Sequence, residues 1–194
     1  MRLSGLEARN RFAAARVARL ATGGADGQPL VVPVTFAVEA VGTPAEAVGT
    51  PAEAVGTPAE AVGTPAKAAG EPREVGETGG DRGSVDPPAT IVTVVDHKPK
   101  STQTGLRRLR DIHDNPLVSL LVDHYDDDWA RLWWARADGL ARIVEAGDPR
   151  HAAAVAALTA RYYQYRQVPP TGPAIVVAVT RWSGWAYSDS PTGT

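Results

Sequence analysis

A seven-residue repeat in the first half of the chain limits most strongly what the protein can fold into. The segment EAVGTPA occurs four times in succession over residues 39–66, and a degenerate copy, KAAGEPR, follows at 67–73. Every exact copy contains one glycine and one proline, the two poorest helix formers, and proline also lacks a backbone donor. With one valine per copy, the repeat cannot supply the two-position apolar seam of a coiled coil.

The low-complexity composition continues to residue 88 and predicts an insertion. Residues 74–88, EVGETGGDRGSVDPP, are rich in glycine, proline and charge, so they bury too little apolar surface to offset the entropy of ordering. We interpret 39–88 as a flexible insertion in a surface loop, which a domain tolerates because closure entropy grows slowly with length. A tether or interaction arm is the alternative. The remaining residues, about 140, suit one domain spanning 1–194.

The rest of the chain is predicted to be mainly β with a few helices. Apolar and β-branched runs bounded by turn signals predict strands at 17–22, 30–38, 90–95, 117–123 and 174–182, and one or two more at 131–144, around a turn at Asp138-Gly139. Apolar spacing and capping residues predict helices at 4–16, 101–112 and 148–165. Six or so short antiparallel strands with few helices favour a small β-barrel.

Composition excludes several classes of function. The chain has no cysteine, which rules out disulfides, thiolate catalysis and zinc–sulfur sites. Its formal net charge of −2 argues against recruitment of nucleic acid. The N-terminus lacks the apolar core of a signal peptide, and no apolar run approaches the roughly 20 residues that span a bilayer. We therefore expect a cytoplasmic protein that binds neither membranes nor nucleic acid. The GxSxG, P-loop and GxGxxG motifs do not occur.

A local basic cluster stands out in this near-neutral chain. Its members are Lys98, Lys100, Arg107, Arg108 and Arg110, with Ser101, Thr102 and Thr104 between them. The cluster lies where a predicted strand ends and a helix begins, so backbone N–H groups, hydroxyls and cations can converge on an anion such as a cofactor phosphate. A solvated basic helix face is the alternative interpretation.

Three other polar or aromatic groups are candidate sites. The run DHYDDD, Asp123–Asp128, lacks the alternating ligands and glycine of a calcium loop, so we interpret it as an acidic turn. His97, His113 and His124 have no companion at a recognised metal spacing, and we predict no metal site. The tryptophans are expected to divide between the core and a ring-binding pocket or subunit interface.

The motifs DHKPK, NPLVSLLVDHYDDDW and RLWWARADGLAR, followed by RYYQYR and RWSGWAYSD, carry a family resemblance. Together they resemble the pyridoxamine 5′-phosphate oxidase-like split-barrel flavoproteins, and within these the actinobacterial PPOX-class F420-dependent oxidoreductases. The resemblance covers the chain except 39–88. It implies a split-barrel homodimer with two cofactor sites at the subunit interface. The implied activity is hydride transfer between the deazaflavin F420 and a small organic substrate.

The resemblance also implies which residues hold the cofactor. A lysine after the third strand contacts the phosphate in such proteins, which points to Lys98 and Lys100, with Ser101 and Thr102 as donors and Arg107 as a second cation. The strand bordering the ring corresponds to Pro33, Val34 and Thr35, and Trp185 is expected from the partner subunit. No side chain need act as nucleophile or base. FMN is the alternative cofactor, and a non-catalytic F420- or flavin-binding protein is the alternative function.

Overall fold

Seven antiparallel strands form one sheet in the part of the chain that the computed structural model describes, residues 1–40, 89–96 and 104–187. The strands are β1 (Ala18–Gly23), β2 (Pro29–Val34), β3 (Ala37–Ala40), β4 (Ala89–Val94), β5 (Leu117–His124), β6 (Trp133–Val144) and β7 (Ala174–Ala186). The helices in these ranges are α1 (Gly5–Ala14), α2 (Thr104–Asp114), α3 (Pro149–Arg161) and α4 (Tyr163–Gln167), and a 3-10 turn spans Trp129–Arg131. The mainly β fold class predicted from the sequence is confirmed.

The strand order shows that the sheet curls into a split barrel. The order is β2-β1-β5-β6-β7-β4-β3, so β2 and β3 form the two opposite edges. Seven strands in a flat sheet would place these edges about 29 Å apart, at about 4.8 Å per neighbouring pair. Only Thr35 and Phe36 join β2 to β3, and such a connection reaches at most about 11 Å. The edges must therefore curve towards each other, and the split lies at this link.

The break between β2 and β3 corrects the predicted continuous strand over 30–38. Phe36 is fully buried, and its ring lies 4.9 Å from that of Phe12 on α1. Its backbone N–H donates to the hydroxyl of Tyr162 at 3.0 Å instead of to a neighbouring strand. Burial of a large aromatic ring outweighs the local β propensity of the β-branched run.

The barrel interior is filled by alternate strand residues and by α1. Val118, Leu120 and Val122 of β5 point inward, as the period of two in a strand requires. Burying each such side chain contributes about 1.5–3 kcal/mol. The predicted cap of α1 is confirmed, since Ser4 and Glu7 form a capping box that satisfies backbone donors at the helix start.

Residues 133–144 form one strand, and the predicted turn at Asp138-Gly139 is wrong. A β-bulge lies there, between two stretches of pairing with β7. The Asp138 carboxylate accepts from Ser119 Oγ at 2.6 Å and from Arg136 at 2.9 Å. A Cβ at position 139 would collide with the carbonyl oxygen of Ala178, so glycine permits a close backbone approach here and does not mark a turn.

The predicted helix over 148–165 is interrupted at Tyr162, which has φ −117° and ψ 122°. Its hydroxyl accepts from the Phe36 N–H and lies 2.7 Å from the Phe36 carbonyl oxygen and 2.8 Å from that of Arg16. The kink between α3 and α4 therefore places one tyrosine hydroxyl against the backbone of the barrel split. Asp148 caps α3 ahead of Pro149, as the sequence predicted.

Candidate functional site

A cavity of about 250 Å³ lies at the link between the two sheet edges. It is lined by Arg16, Val17, Thr35, Tyr162, Gln164 and Tyr165. Its walls thus combine a guanidinium, an amide and hydroxyls with the faces of two tyrosine rings. Concave sites in which a few polar groups converge are the usual places for ligands, and this one includes Thr35, a residue predicted to border the cofactor ring.

A hydroxyl chain connects this cavity to the end of β4. Thr35 Oγ1 lies 2.8 Å from Tyr165 Oη, and Tyr165 Oη is directed at Asp96 Oδ2 at 3.5 Å. Because a carboxylate only accepts, the tyrosine hydroxyl donates towards Asp96 and accepts from Thr35. This series of hydrogen bonds orients the Thr35 hydroxyl and links it to Asp96, which lies two positions before Lys98.

Arg108 belongs to the basic cluster predicted from the sequence, although the family resemblance did not assign it to the cofactor, and in the structure it interacts electrostatically with Asp96. It is only 8% exposed. Burial lowers its pKa, and the Asp96 carboxylate acts in the opposite direction. Its Nε has no hydrogen-bond partner among the described residues. Spacing could have indicated this placement, since Arg108 lies four positions before the buried Ile112 and shares its helix face.

Arg107 is directed to another part of the barrel. Its Nη2 donates to the Gln28 carbonyl oxygen at 3.1 Å and lies 3.3 Å from Asp26. These acceptors belong to the β1–β2 turn. At about 3.3 Å per residue of strand, this turn lies roughly 20 Å from Thr35 along β2. Arg107 therefore connects α2 to that turn by a hydrogen bond and an ion pair, and it does not line the Thr35 cavity.

The other residues predicted at the ring lie on different faces of the barrel. Pro33 is exposed on the edge strand β2, where a missing backbone donor is tolerated, and the Val34 side chain is buried in the core. Trp185 is 37% exposed on β7 and lines a separate pocket. Within one chain, Thr35 and Trp185 therefore do not share a cavity.

The remaining predicted site residues lie outside the part of the chain that the structure describes. These are Lys98, Lys100, Ser101 and Thr102, between Asp96 and Thr104. Most of the predicted 39–88 insertion also lies outside the described residues.

The acidic run Asp123–Asp128 begins at the end of β5 and continues into the connection to β6. Asp126 accepts from the Asp128 N–H at 3.0 Å, which lowers the pKa of Asp126, and it pairs with Arg131 at 3.1 Å. Asp128 caps the 3-10 turn by accepting from Ala130. Over 1–40, 89–96 and 104–187 no group of three or more acidic or histidine side chains is arranged to hold a metal ion. Within the same ranges no helix has the length and apolar character needed to cross a bilayer.

Comparison with known proteins establishes the fold. No family model and no curated protein matches the chain. Among solved structures, it is similar to a FAD-binding protein from Mesorhizobium loti, with a TM-score of 0.53, 16% identity and 95% of each chain covered. It is also similar to the conserved hypothetical protein Rv2991 from Mycobacterium tuberculosis, with a TM-score of 0.52, 16% identity, and 99% of this chain and 93% of that one covered. The split-barrel fold is shared.

Proposed function

We propose that this protein is an F420-dependent oxidoreductase that transfers a hydride between reduced F420 and a small organic substrate. The observation that carries the proposal is the Tyr165–Thr35 pair, which is directed at Asp96 where the chain enters the DHKPK segment. The buried Arg108 interacts electrostatically with the same Asp96 carboxylate. A protein of the same fold is named FAD-binding, and the sequence motifs resemble the F420-dependent branch. FMN is the alternative cofactor.

The residues present fit a cofactor with an anionic tail. Arg108 keeps a buried Nε without a partner in the described residues, and an oxyanion would satisfy such a donor. In the proposal Lys98 and Lys100 hold the phosphate, and Ser101 and Thr102 donate hydroxyl hydrogen bonds to it. F420 has more acidic groups than FMN, since its tail continues into glutamates, and therefore suits this concentration of cations better.

The ring is proposed to lie along the edge strand β2 beside Thr35. The outer edge of β2 is not paired with another described strand, so its backbone is open to polar ring atoms. F420 bound there would supply the hydride chemistry. The protein orients the ring through Thr35, excludes water and needs no nucleophilic side chain.

A homodimer is part of the proposal because Thr35 and Trp185 line different pockets of one chain. A cofactor that contacts both requires Trp185 from a second copy. Apolar residues exposed on the outer side of the sheet could be covered in such a dimer, namely Val31, Leu117, Leu121 and Leu140.

Fluorescence titration tests the cofactor assignment. The purified full chain is titrated with oxidised F420, reduced F420 and FMN, and oxidation of reduced F420 is then followed with a panel of quinones and enones. We expect tighter binding of F420 than of FMN, and turnover. Submicromolar FMN binding without an F420 response would overturn the cofactor assignment. Tight F420 binding without turnover by the panel would favour the non-catalytic alternative.

Lys100→Ala tests the phosphate site directly. Loss of one charge-assisted hydrogen bond should weaken F420 binding by about 1.5–3 kcal/mol, or roughly 10- to 150-fold. Lys67→Ala, in the repeat, is the matched control and should bind like the wild type. An unchanged dissociation constant for Lys100→Ala would remove Lys100 from the site.

A further inference from the structure

A second pocket, of about 320 Å³, lies on the outer face of β6 and β7. Residues with cationic, hydroxyl or indole groups line it, among them Arg2, Trp134, Arg136, Arg181, Ser183 and Trp185. This pocket is separate from the Thr35 cavity and shares with the proposed function only Trp185.

Strand register explains why these side chains meet. Trp134 on β6 is directly opposite Trp185 on β7, and Arg136 is opposite Ser183. Alternate residues of a strand share a face, and the Cβ atoms of opposite residues lie about 4.5–5.5 Å apart. Two indole rings therefore stand beside a guanidinium and a hydroxyl on one surface.

The pocket carries excess positive charge. Three of its lining residues are arginines, and the carboxylate paired with them is that of Asp138, 2.9 Å from Arg136 Nη2. Asp138 also accepts from Ser119. Among the described residues neither Arg2 nor Arg181 forms an ion pair. Clustered cations that outnumber their counter-charges repel one another and attract an anion.

Two buried polar atoms at the pocket have no hydrogen-bond partner in the described residues. They are Arg136 Nε and Ser183 Oγ. A buried donor without a partner is costly, and proteins seldom retain one without a reason. The Arg136 side chain is 42% exposed, so a modest rotation can present its donors to a bound oxyanion.

We propose that this pocket binds a small planar carboxylic acid. The carboxylate pairs with Arg136 and Ser183 and takes further charge compensation from Arg2 and Arg181. The flat apolar part of the ligand packs on Trp134 and Trp185, whose faces favour planar groups. A guanidinium matches a carboxylate in bidentate geometry, which favours this anion over a spherical one.

The test compares benzoate with benzamide on the cofactor-free full chain, by tryptophan fluorescence and ligand-observed NMR. We expect benzoate to bind. Benzamide should bind at least about tenfold more weakly, because the neutral amide lacks the charge-assisted hydrogen bonds. Equal affinity for the two ligands, or no benzoate binding up to about 10 mM, overturns the proposal. Because no F420 or FMN is present, neither result bears on the cofactor assignment, which the fluorescence titration with F420 and FMN tests separately.

Variants locate the binding. Arg136→Gln should weaken benzoate binding about tenfold or more, whereas Arg142→Gln, an exposed arginine on the same strand, should bind like the wild type. Ser183→Ala removes only one hydroxyl and tests the same pocket if Arg136→Gln does not fold. This variant should weaken benzoate binding about threefold or more. Wild-type affinity in both pocket variants overturns the proposal. If the wild type does not bind benzoate and Arg136→Gln changes the oligomeric state, the pocket is an interface between copies and the proposal is overturned.

Discussion

Thr35 and Tyr165 share a hydrogen bond of 2.8 Å across 130 positions of the sequence. Thr35 stands in the two-residue link between the sheet edges, and Tyr165 stands on α4. The bond therefore holds the barrel split against the helical layer. Because Tyr165 is also directed at Asp96, the same hydroxyl connects the proposed ring strand with the entrance to the proposed phosphate segment.

Tyr165→Phe tests this connection. Loss of the hydroxyl leaves Thr35 without its partner, which should cost about 0.5–1.5 kcal/mol of unfolding free energy and lower the Tm by a few °C. F420 binding should weaken about threefold or more if Thr35 orients the ring. Tyr163→Phe, at a position 67% exposed, is the control. Equal Tm and affinity in the two variants, by thermal unfolding and fluorescence titration, would contradict the role of Tyr165.

Arg108→Gln tests the buried cation beside Asp96. If Arg108 adds charge to the phosphate site, its loss should weaken F420 binding about tenfold or more. Arg110→Gln removes an exposed arginine from the same helix and should leave the affinity unchanged. Arg108→Lys keeps the charge and should recover part of the binding. A purely structural role would instead lower the Tm of Arg108→Gln and leave the dissociation constant at its wild-type value.

The cap of α3 should depend on pH. Hydrogen bonds from the side chain and backbone of Arg150 lower the pKa of Asp148 to about 2. A carboxyl whose folded-state pKa is depressed contributes stability above its unfolded pKa, near 3.9, and loses it as the pH falls towards 2.

Comparison of the wild type with Asp148→Ala measures this contribution. The variant should have the lower Tm above about pH 5, and the difference should shrink between about pH 4 and pH 2. Asp148→Asn keeps a good capping side chain, so its Tm should lie between the other two. A difference that persists unchanged to pH 2 would show that the carboxylate charge is unimportant.

Deletion of residues 46–66 tests the predicted insertion. It removes three copies of the repeat and keeps Glu39 and Ala40, which pair with Thr90 and Ala89. If residues 41–88 form the flexible connection predicted from the sequence, shortening it from 48 residues to 27 should change closure entropy by only about 0.5 kcal/mol in favour of folding. Thermal unfolding should therefore show the same Tm or a slightly higher one. A fall of more than about 5 °C would indicate that the repeat contributes contacts to the folded protein.

Much of the secondary structure followed from local patterns in the sequence. The capping residues Ser4 and Asp148 marked the starts of α1 and α3, and apolar and β-branched runs marked the strands, with β2 and β3 predicted as one. Such signals act within a few residues, through side-chain conformation and the nearest backbone groups. For the same reason they placed Asp138-Gly139 in a turn, whereas contacts with β5 and β7 make it a bulge within one strand.

The sequence by itself determined the class of fold, a mainly β barrel, and showed a basic cluster after a strand in a chain without cysteine. Only the tertiary structure decided that Arg108 is buried and interacts with Asp96 while its neighbour Arg107 donates to the β1–β2 turn, because their directions depend on what packs against α2. It also decided that Thr35 meets Tyr165 and that Trp185 lines another pocket. These relationships join residues that are distant in the sequence. The residues meet because the sheet closes into a barrel, and local propensity contributes little to that closure.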